Sequence, residues 1–423
     1  MRIVFYLFVT AVAAAVTWVL SLVILRLSRR YRLYPKIRSR DVHTRPTPRL
    51  GGVAMFFGVL AAFGAAALVP QLRAVFSDST QLLTILLAAL IVVVIGVIDD
   101  IWDLDWVTKL AGQIIAAGVL AFGGTQVQNL PFGGIVVFSS FNSLLYTVLV
   151  VVLVMNAVNF IDGLDGLVAG VAIIANGVFF IYTYLQQSGG NLDYFNLAAL
   201  ITTILIGACI GFLPTNFHPA KMFMGDAGAL LVGLLMAVSG ISVTGAIDPL
   251  RVQGGQIGHS DVLAGYIPVI LPIAILVVPM LDFGLAVLRR LRAGKSPFSA
   301  DRKHLHHRLL DMGHSHLHAV LIFYAWTAVA SVGVLSFLFM PWWASLAFIF
   351  VGLVITTAFT LAPLSRRKRI ESAAQLAGTE DAAAVAVAVL DPLDAASEES
   401  GQQASTLEAE VALARLQKKE ASS

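Results

Sequence analysis

Long apolar stretches separated by short polar segments run through most of the chain. A helix needs about 20 apolar residues to cross a hydrocarbon core of roughly 30 Å. Stretches of suitable length predict membrane spans at residues 3–27, 50–70, 81–98, 109–123, 142–158, 166–185, 195–213, 228–247, 264–288, 319–339 and 343–363. The pattern therefore predicts an all-α polytopic integral membrane protein with about 11 transmembrane helices.

The composition supports the same class. Of the 423 residues, 58% are hydrophobic and only 13% are charged, with a mean hydropathy of +0.84. Soluble domains carry about 25% charged residues. The single cysteine, Cys209, lies inside an apolar stretch, which excludes a disulfide framework and a cysteine-based metal site. We expect the bilayer, and no nucleic acid, among the partners.

Basic residues are concentrated in alternate polar segments. Nine Lys and Arg residues fall between Arg26 and Arg49, and further basic clusters occupy 289–308 and 366–369. The intervening segments 124–141 and 186–194 contain no Lys or Arg. The positive-inside rule then predicts an external amino terminus and places the basic loops and the carboxyl terminus in the cytoplasm. The predicted location is the cell inner (plasma) membrane.

The last segment of the chain differs from the rest. From Ile370 onward the residues are mainly Ala, Glu, Ser and Gln, with ten acidic and three basic side chains. Low hydrophobicity with a net charge of this kind predicts disorder. We therefore divide the chain into a membrane domain at 1–365 and a cytoplasmic, low-complexity, acidic tail at 366–423.

The most unusual polar pattern comes directly after the apolar stretch that ends at Met155. Asn156, Asn159, Asp162 and Asp165 recur at every third position, and a glycine stands directly after each of the two carboxylates. Side chains three apart share one face of a helix. Polar groups at the mouth of a membrane helix need water, a cation or a ligand. A loop that only caps two helices would have the same polarity, but similar clusters recur in three other loops predicted on the same side.

Two of these other clusters are acidic. Asp99 and Asp100 end an apolar span, where adjacent carboxylates repel each other unless a cation or a retained proton lies between them. That pair predicts either a metal platform or a general base. Asp226 lies between two glycines just before an apolar helix, where it could be the N-cap. Together with Asn159 it is a candidate ligand for a hard divalent cation.

The third of these clusters, which contains histidines, and a separate arginine loop are basic. Arg45 and Arg49 lie in a Pro-Thr-Pro-Arg-Leu-Gly-Gly stretch whose prolines and glycines fix the backbone path. Arginine suits a phosphate group because it is permanently charged and bidentate. His304 and His307 are three apart, with Arg302 nearby, and predict a phosphate pocket rather than a zinc site.

These loops combine acidic oxygens for a cation with basic donors, all predicted at one membrane surface. That combination suits phosphoryl transfer from a soluble diphosphate to a lipid acceptor. A lipid flippase or transporter is the alternative from another class, and it would place polar groups at mid-membrane depth. A membrane scaffold is a further alternative, but it would not need four separate Asp, Asn and His clusters.

Four motifs, in this order, resemble those of the polyprenyl-phosphate N-acetylhexosamine-1-phosphate transferases. They are Asp99-Asp100, the Asn156 to Gly166 stretch, Gly225-Asp226-x-Gly228 and His304-x-His306-His307. The resemblance covers about residues 1–365. It implies transfer of a sugar 1-phosphate from a UDP-sugar to a polyprenyl phosphate, with release of UMP. It also implies Mg²⁺, with Mn²⁺ as a substitute.

The histidine motif is similar to that of the bacterial branch using UDP-GlcNAc with undecaprenyl or decaprenyl phosphate. UDP-MurNAc-pentapeptide and UDP-GalNAc are the alternative donors, and a homodimer is a further expectation. Carried over by position, the resemblance gives these roles: Mg²⁺ ligands Asn159 and Asp226; site residues predicted as catalytic Asp99, Asp100, Asp162, Asp165, His304, His306 and His307; and Arg302 for the donor. We also predict that Arg45, Arg49, Lys109 and Asn156 bind substrate. Ala229 replaces the serine usual in the family.

Overall fold

The computed structural model describes residues 2–31, 47–131, 135–187, 192–244, 261–292, 294 and 305–377. Several predicted positions lie outside the described residues: Arg45, Arg302, His304 and the tail beyond residue 377. The backbone at His306 and His307 is described, but their side chains are not. Roles predicted for these five histidine and arginine residues stay predictions.

The described chain is almost entirely helical. Its α-helices are α1 (Arg2–Tyr31), α2 (Gly51–Ala67), α3 (Ser79–Trp102), α4 (Trp106–Phe122), α5 (Ser140–Ile161), α6 (Leu167–Gln187), α7 (Leu192–Asn216), α8 (Gly225–Thr244), α9 (Asp261–Arg292), α10 (Leu305–Asp311), α11 (His316–Ser336) and α12 (Trp342–Ala377). A 3₁₀ helix (Pro70–Phe76) follows α2. Strands β1 (Asn129–Pro131) and β2 (Ile135–Val137) form an antiparallel hairpin between α4 and α5.

The helices confirm the predicted class of protein. Nine helices in the described residues are long and apolar enough to cross a membrane. Two shorter apolar helices, Gly51–Ala67 and Trp106–Phe122, bring the number in that part of the chain to eleven. A 17-residue helix is about 25 Å long, close to the hydrocarbon thickness. The two-stranded hairpin, which the apolar pattern did not predict, lies in a segment that carries no predicted span.

Contacts divide the chain into two units, Met1–Thr360 and Leu361–Ser423. The first unit contains α1 to α11 and the part of α12 up to Thr360. Of the second unit, residues 361–377 are described, and they are helical.

Helix α8 is the centre of the first unit. Within its apolar span 94% of the residues are buried, against 22% for α1 and 39% for α3. Small residues let neighbouring backbones approach it closely, as is usual between membrane helices. A Cβ atom added at Gly52 of α2 would overlap the backbone of Gly228, and one added at Gly96 of α3 would overlap Ala227. The first turn of α8 is thereby enclosed by α2 and α3.

Candidate active site

The corner between α3 and α4 is folded around acidic side chains. Asp99, in the last turn of α3, accepts a hydrogen bond from the Leu104 backbone N–H at 2.8 Å. Asp103 adopts the left-handed conformation (φ 55°) that ends α3. Asp105 is the N-cap of α4 and accepts from Val107 N and Thr108 N, both at 3.0 Å. Hydrogen bonds from Thr108 lower the pKa of Asp105. Asp103 and Asp105 therefore shape the corner.

Lys109 connects this corner to α8. It lies one turn into α4, and its Nζ is 3.3 Å from Asp99 Oδ2. The same ammonium group also contacts Asp226 Oδ2. One cation therefore neutralises two carboxylates that come from α3 and α8, which would otherwise repel each other.

Asp226 contacts both Lys109 and Asn159. It lies in the first turn of α8, and its Oδ1 accepts a hydrogen bond from Asn159 Nδ2 at 2.9 Å. Its Oδ2 contacts Lys109. Asn159 and Lys109, which are 67 and 117 positions away from Asp226 in the chain, thus contact the same carboxylate. The structure brings together Asp99, Asn159 and Asp226, which were predicted from three separate patterns, and Lys109, which was predicted to bind substrate.

Asp100 faces the start of α8. Its side chain is buried and accepts from Asp226 N at 3.2 Å and Ala227 N at 3.4 Å. Free N–H groups at a helix start attract negative charge. This carboxylate therefore occupies the N-terminus of α8. Gly225 makes the approach feasible: its φ is +68°, and a Cβ there would overlap the Arg49 carbonyl and the Asp100 carboxylate.

Residues 47–52, the described part of the Pro-Thr-Pro-Arg-Leu-Gly-Gly stretch, run beside the segment that leads into α8. Phe223 N donates to Pro48 O at 2.8 Å, and Gly51 N donates to Phe223 O at 3.1 Å. Gly52 N donates to Met224 O at 2.9 Å. This pairing fixes the backbone at Arg49 next to the acidic cluster, where its positive charge acts on the Asp162 carboxyl.

Asp162 follows α5 directly and lies outside the membrane-spanning helices. Burial raises the pKa of its carboxyl from 3.8 to about 7, and the negative charges of Asp226 and Asp165 add to that effect. Arg49 acts in the opposite direction. Asp162 therefore changes charge near neutral pH in the metal-free protein.

Asp162→Asn should stabilise the metal-free protein at alkaline pH. Because the folded state binds this proton more tightly than the unfolded state, stability is highest below the unfolded pKa of 3.8 and falls as pH rises to about 7. The variant lacks this penalty, so its melting temperature should exceed that of the wild type at about pH 8 and match it at about pH 4. Thermal unfolding in EDTA measures both.

Asp105→Asn is the control with the opposite sign. The pKa of Asp105 is lowered, so its contribution to stability is present above its unfolded pKa and disappears as pH falls. This variant should lose stability at alkaline pH and approach the wild type in acid. A uniform gain of Asp162→Asn at both pH values would contradict the assigned titration.

Asp165 is placed differently from the other acidic residues. Its buried carboxylate pairs with His218 Nδ1 at 2.8 Å and accepts from Ala220 N at 3.0 Å. The next residue, Gly166, donates its N–H to Asn216 Oδ1 at 3.0 Å. These contacts attach the turn after α5 to the segment between α7 and α8. No role was predicted for Asn216 or His218, although both stand close before the Gly-Asp-x-Gly motif.

Asn156 lies one helical turn deeper than Asn159. Its Nδ2 donates to Gln113 Oε1 at 2.5 Å and to Val152 O at 2.8 Å. Gln113, for which no role was predicted, is 1% exposed and lies one turn after Lys109 on α4. Its position four residues after Lys109 on the same helix face was the available signal. The pair joins α4 to α5 below the charged cluster.

The donor atoms fit a hard cation. Asn159 and Asp226 contact each other and offer oxygen atoms, which Mg²⁺ prefers, together with places for water and phosphate. Within the described residues no group of three or more His, Cys, Asp or Glu is arranged to hold a metal ion. Mg²⁺ that also binds substrate phosphates usually has one or two carboxylate ligands, and Asp226 would be one of them.

Comparisons with known proteins show the family of the chain. Residues 82–244, which include Asp99, Lys109, Asn159 and Asp226, match the model of glycosyl transferase family 4. A decaprenyl-phosphate N-acetylglucosaminephosphotransferase of Mycobacterium tuberculosis is 41% identical over 340 residues, or 79% of this chain and 82% of the relative.

Two further relatives are more distant. A probable undecaprenyl-phosphate N-acetylglucosaminyl 1-phosphate transferase of Bacillus subtilis is 29% identical over 75% of this chain and 80% of its own length. A phospho-N-acetylmuramoyl-pentapeptide-transferase of Mycolicibacterium smegmatis is 28% identical over 77% and 94%. The fold and the site define a polytopic membrane transferase. The chain belongs to glycosyl transferase family 4.

Proposed function

We propose that the protein transfers GlcNAc-1-phosphate from UDP-GlcNAc to a membrane polyprenyl phosphate. An oxygen of the lipid phosphate attacks the β-phosphorus of the donor. The bond from that phosphorus to the oxygen bridging to the α-phosphate breaks, and UMP leaves with the bridging oxygen. The products are UMP and polyprenyl-diphosphate-GlcNAc, a first lipid-linked intermediate for cell-wall or surface polysaccharide synthesis.

The observation that carries this proposal is the meeting of Asp99, Lys109, Asn159 and Asp226 at the ends of four helices. Asn159 and Asp226 would hold Mg²⁺, which supplies charge neutralisation for a diphosphate when it is bound. Lys109 and Arg49 provide positive charge for phosphate oxygens. These groups lie at helix ends and not at mid-span, which favours a surface reaction over transport.

The lipid phosphate needs little help in losing its proton. The second pKa of a phosphate monoester is about 6, so the acceptor is largely ionised near neutral pH. Asp100 is also engaged by two backbone N–H groups of α8. We therefore assign Asp100 the role of holding the first turn of α8 and Asp99 the role of holding Lys109. A general-base role for either residue stays a prediction.

The basic loops favour a cytoplasmic site, where a soluble nucleotide sugar is available. The relatives favour the donor: the proteins that carry N-acetylglucosamine in their names are up to 41% identical, against 28% for the N-acetylmuramoyl-pentapeptide enzyme. Decaprenyl and undecaprenyl phosphate both occur in the names of relatives. The acceptor is therefore proposed as a polyprenyl phosphate of either length.

A donor panel tests the proposed substrate. Purified protein with Mg²⁺ and decaprenyl phosphate is incubated separately with UDP-GlcNAc, UDP-GalNAc and UDP-MurNAc-pentapeptide, and UMP and lipid products are quantified. We expect lipid-dependent UMP release with UDP-GlcNAc at the highest kcat/KM. A higher kcat/KM with either of the other donors would reject the proposed donor and leave the reaction class in place.

A further inference from the structure

Helix α9 contacts the short helix that carries two of the predicted histidines. Asp282 of α9 is 1% exposed, and its Oδ1 accepts a hydrogen bond from the backbone N–H of Leu305 at 2.7 Å. Leu305 is the first residue of α10, and His306 and His307 follow it immediately. A buried carboxylate is costly unless it is hydrogen-bonded, so this contact is a strong constraint on where α10 begins.

The same face of α9 continues to the end of the helix. Asp282, Ala286 and Arg290 are four residues apart, and each is buried, with exposures of 1%, 0% and 4%. Residues at this spacing form one stripe along a helix. Eight residues of helix separate Asp282 from Arg290, which is about 12 Å along the axis.

Arg290, at the end of this stripe, contacts Phe160 in the last turn of α5. Its guanidinium carbon lies 5.3 Å from the centroid of the Phe160 ring. Phe160 also packs against Phe283 of α9, with ring centroids 5.1 Å apart. Because Phe160 follows Asn159 directly, α9 holds the end of α5 through aromatic and cation–π contacts. One helix is therefore attached at one point to α10 and at another to the segment that carries Asn159.

We propose that α9 fixes the histidine helix relative to Asn159 and that Asp282 is the positioning residue that holds His306 and His307. The inference deepens the proposed function, because it concerns how the nucleotide-sugar site is assembled. Helix α10 has seven residues. Isolated helices shorter than about 12 residues are marginal in water. The first turn of α10 therefore depends on an external acceptor, and Asp282 supplies one.

The test uses two substitutions at one position in the full-length protein. Asp282→Asn keeps a side-chain oxygen that can accept from Leu305 N–H, whereas Asp282→Leu removes the acceptor at similar volume. Backbone hydrogen exchange of residues 305–311 measures the stability of α10, and this measurement does not require an active enzyme. We expect faster exchange in this segment for the Leu variant only, with residues 225–244 of α8 unchanged as evidence of folding.

Steady-state kinetics give the functional result. We expect the Leu variant to raise the KM for UDP-GlcNAc by about 10- to 100-fold, the range seen when an orienting partner is removed. The KM for polyprenyl phosphate should stay near the wild-type value, and the Asn variant should be close to wild type in both. Asp78→Ala is the matched control, since Asp78 accepts from Gln81 N at 3.1 Å at the opposite end of α3 and should leave the kinetics unchanged.

Three outcomes would overturn the proposal. Unchanged exchange of residues 305–311 in the Leu variant would show that Asp282 does not hold α10. Faster exchange with an unchanged KM for UDP-GlcNAc would show that the contact between Asp282 and α10 does not affect donor binding. An Asn variant as impaired as the Leu variant would assign Asp282 to charge pairing instead. If the wild type releases no UMP, the proposed function fails, whereas the exchange measurement still decides whether Asp282 holds α10.

Discussion

Replacing Asp226 with Asn should lower the rate of UMP release by roughly 10²- to 10³-fold, the range for removing a preorganised charge from a transition state. The two oxygens of Asp226 serve different partners, Asn159 and Lys109. An asparagine keeps the size of the side chain. It cannot neutralise the ammonium group of Lys109, and its amide NH₂ would face either that cation or the NH₂ of Asn159. The variant should therefore lose the centre of the charged cluster without losing volume.

The measurement is kcat for UMP release at saturating donor, lipid and Mg²⁺, and Asp103→Asn is the control. Asp103 is an acidic residue of the neighbouring corner with φ 55°, a conformation that asparagine accepts well. That variant should remain within about twofold of wild type, because asparagine keeps the volume and the backbone conformation of Asp103. An Asp226→Asn enzyme with wild-type turnover would remove Asp226 from the site.

Replacing Lys109 with Gln should change the affinities for metal and donor in opposite directions. The Lys109 ammonium group lies against Asp99 and Asp226, the second of which is a proposed metal ligand. Two cations compete for the same carboxylate, so removing the ammonium charge should strengthen binding of a divalent cation in the absence of donor. The donor diphosphate, in contrast, loses a positive partner, so its binding should weaken.

Titration of the donor-free protein with Mn²⁺, followed by electron paramagnetic resonance, measures the first effect. We expect the Gln variant to bind Mn²⁺ about tenfold more tightly, a modest share of the several kcal/mol between unit charges about 4 Å apart near a protein surface. The KM for UDP-GlcNAc should rise by at least a similar factor. Lys109→Arg keeps the charge and should leave Mn²⁺ affinity low. Weaker Mn²⁺ binding by the Gln variant would contradict the competition.

Local patterns were sufficient to predict the helices and several members of the site. Apolar stretches long enough to span a membrane follow from the solvent, so the eleven apolar helices of the described residues could be predicted without any tertiary information. The helix ends could not. Helix α3 continues to Trp102 and α8 begins at Gly225, so Asp99, Asp100 and Asp226 lie on helical turns rather than in loops. Their polar side chains are satisfied across helices, which lets the helices extend.

Local sequence patterns could not predict which polar side chains pair with each other. Asn156 and Asn159 share a face of α5, yet Asn156 pairs with Gln113 and Asn159 with Asp226. Asp165 belongs to the same periodic motif as Asn159 and instead fixes His218. The pairing of these polar side chains depends on how α4, α5 and α8 pack together. A periodic pattern along the sequence does not encode that packing. The homodimer, Mg²⁺ and the roles of the residues outside the described ranges stay predictions.

The most direct test follows the β-phosphorus of the donor. Purified protein is incubated with Mg²⁺, polyprenyl phosphate and UDP-GlcNAc that carries ³²P only in the β-phosphate. Transfer of GlcNAc-1-phosphate predicts that the label moves into the lipid diphosphate and that the released nucleotide is unlabelled UMP. Label that stays in a released UDP, with the sugar alone on the lipid, would contradict the proposed reaction.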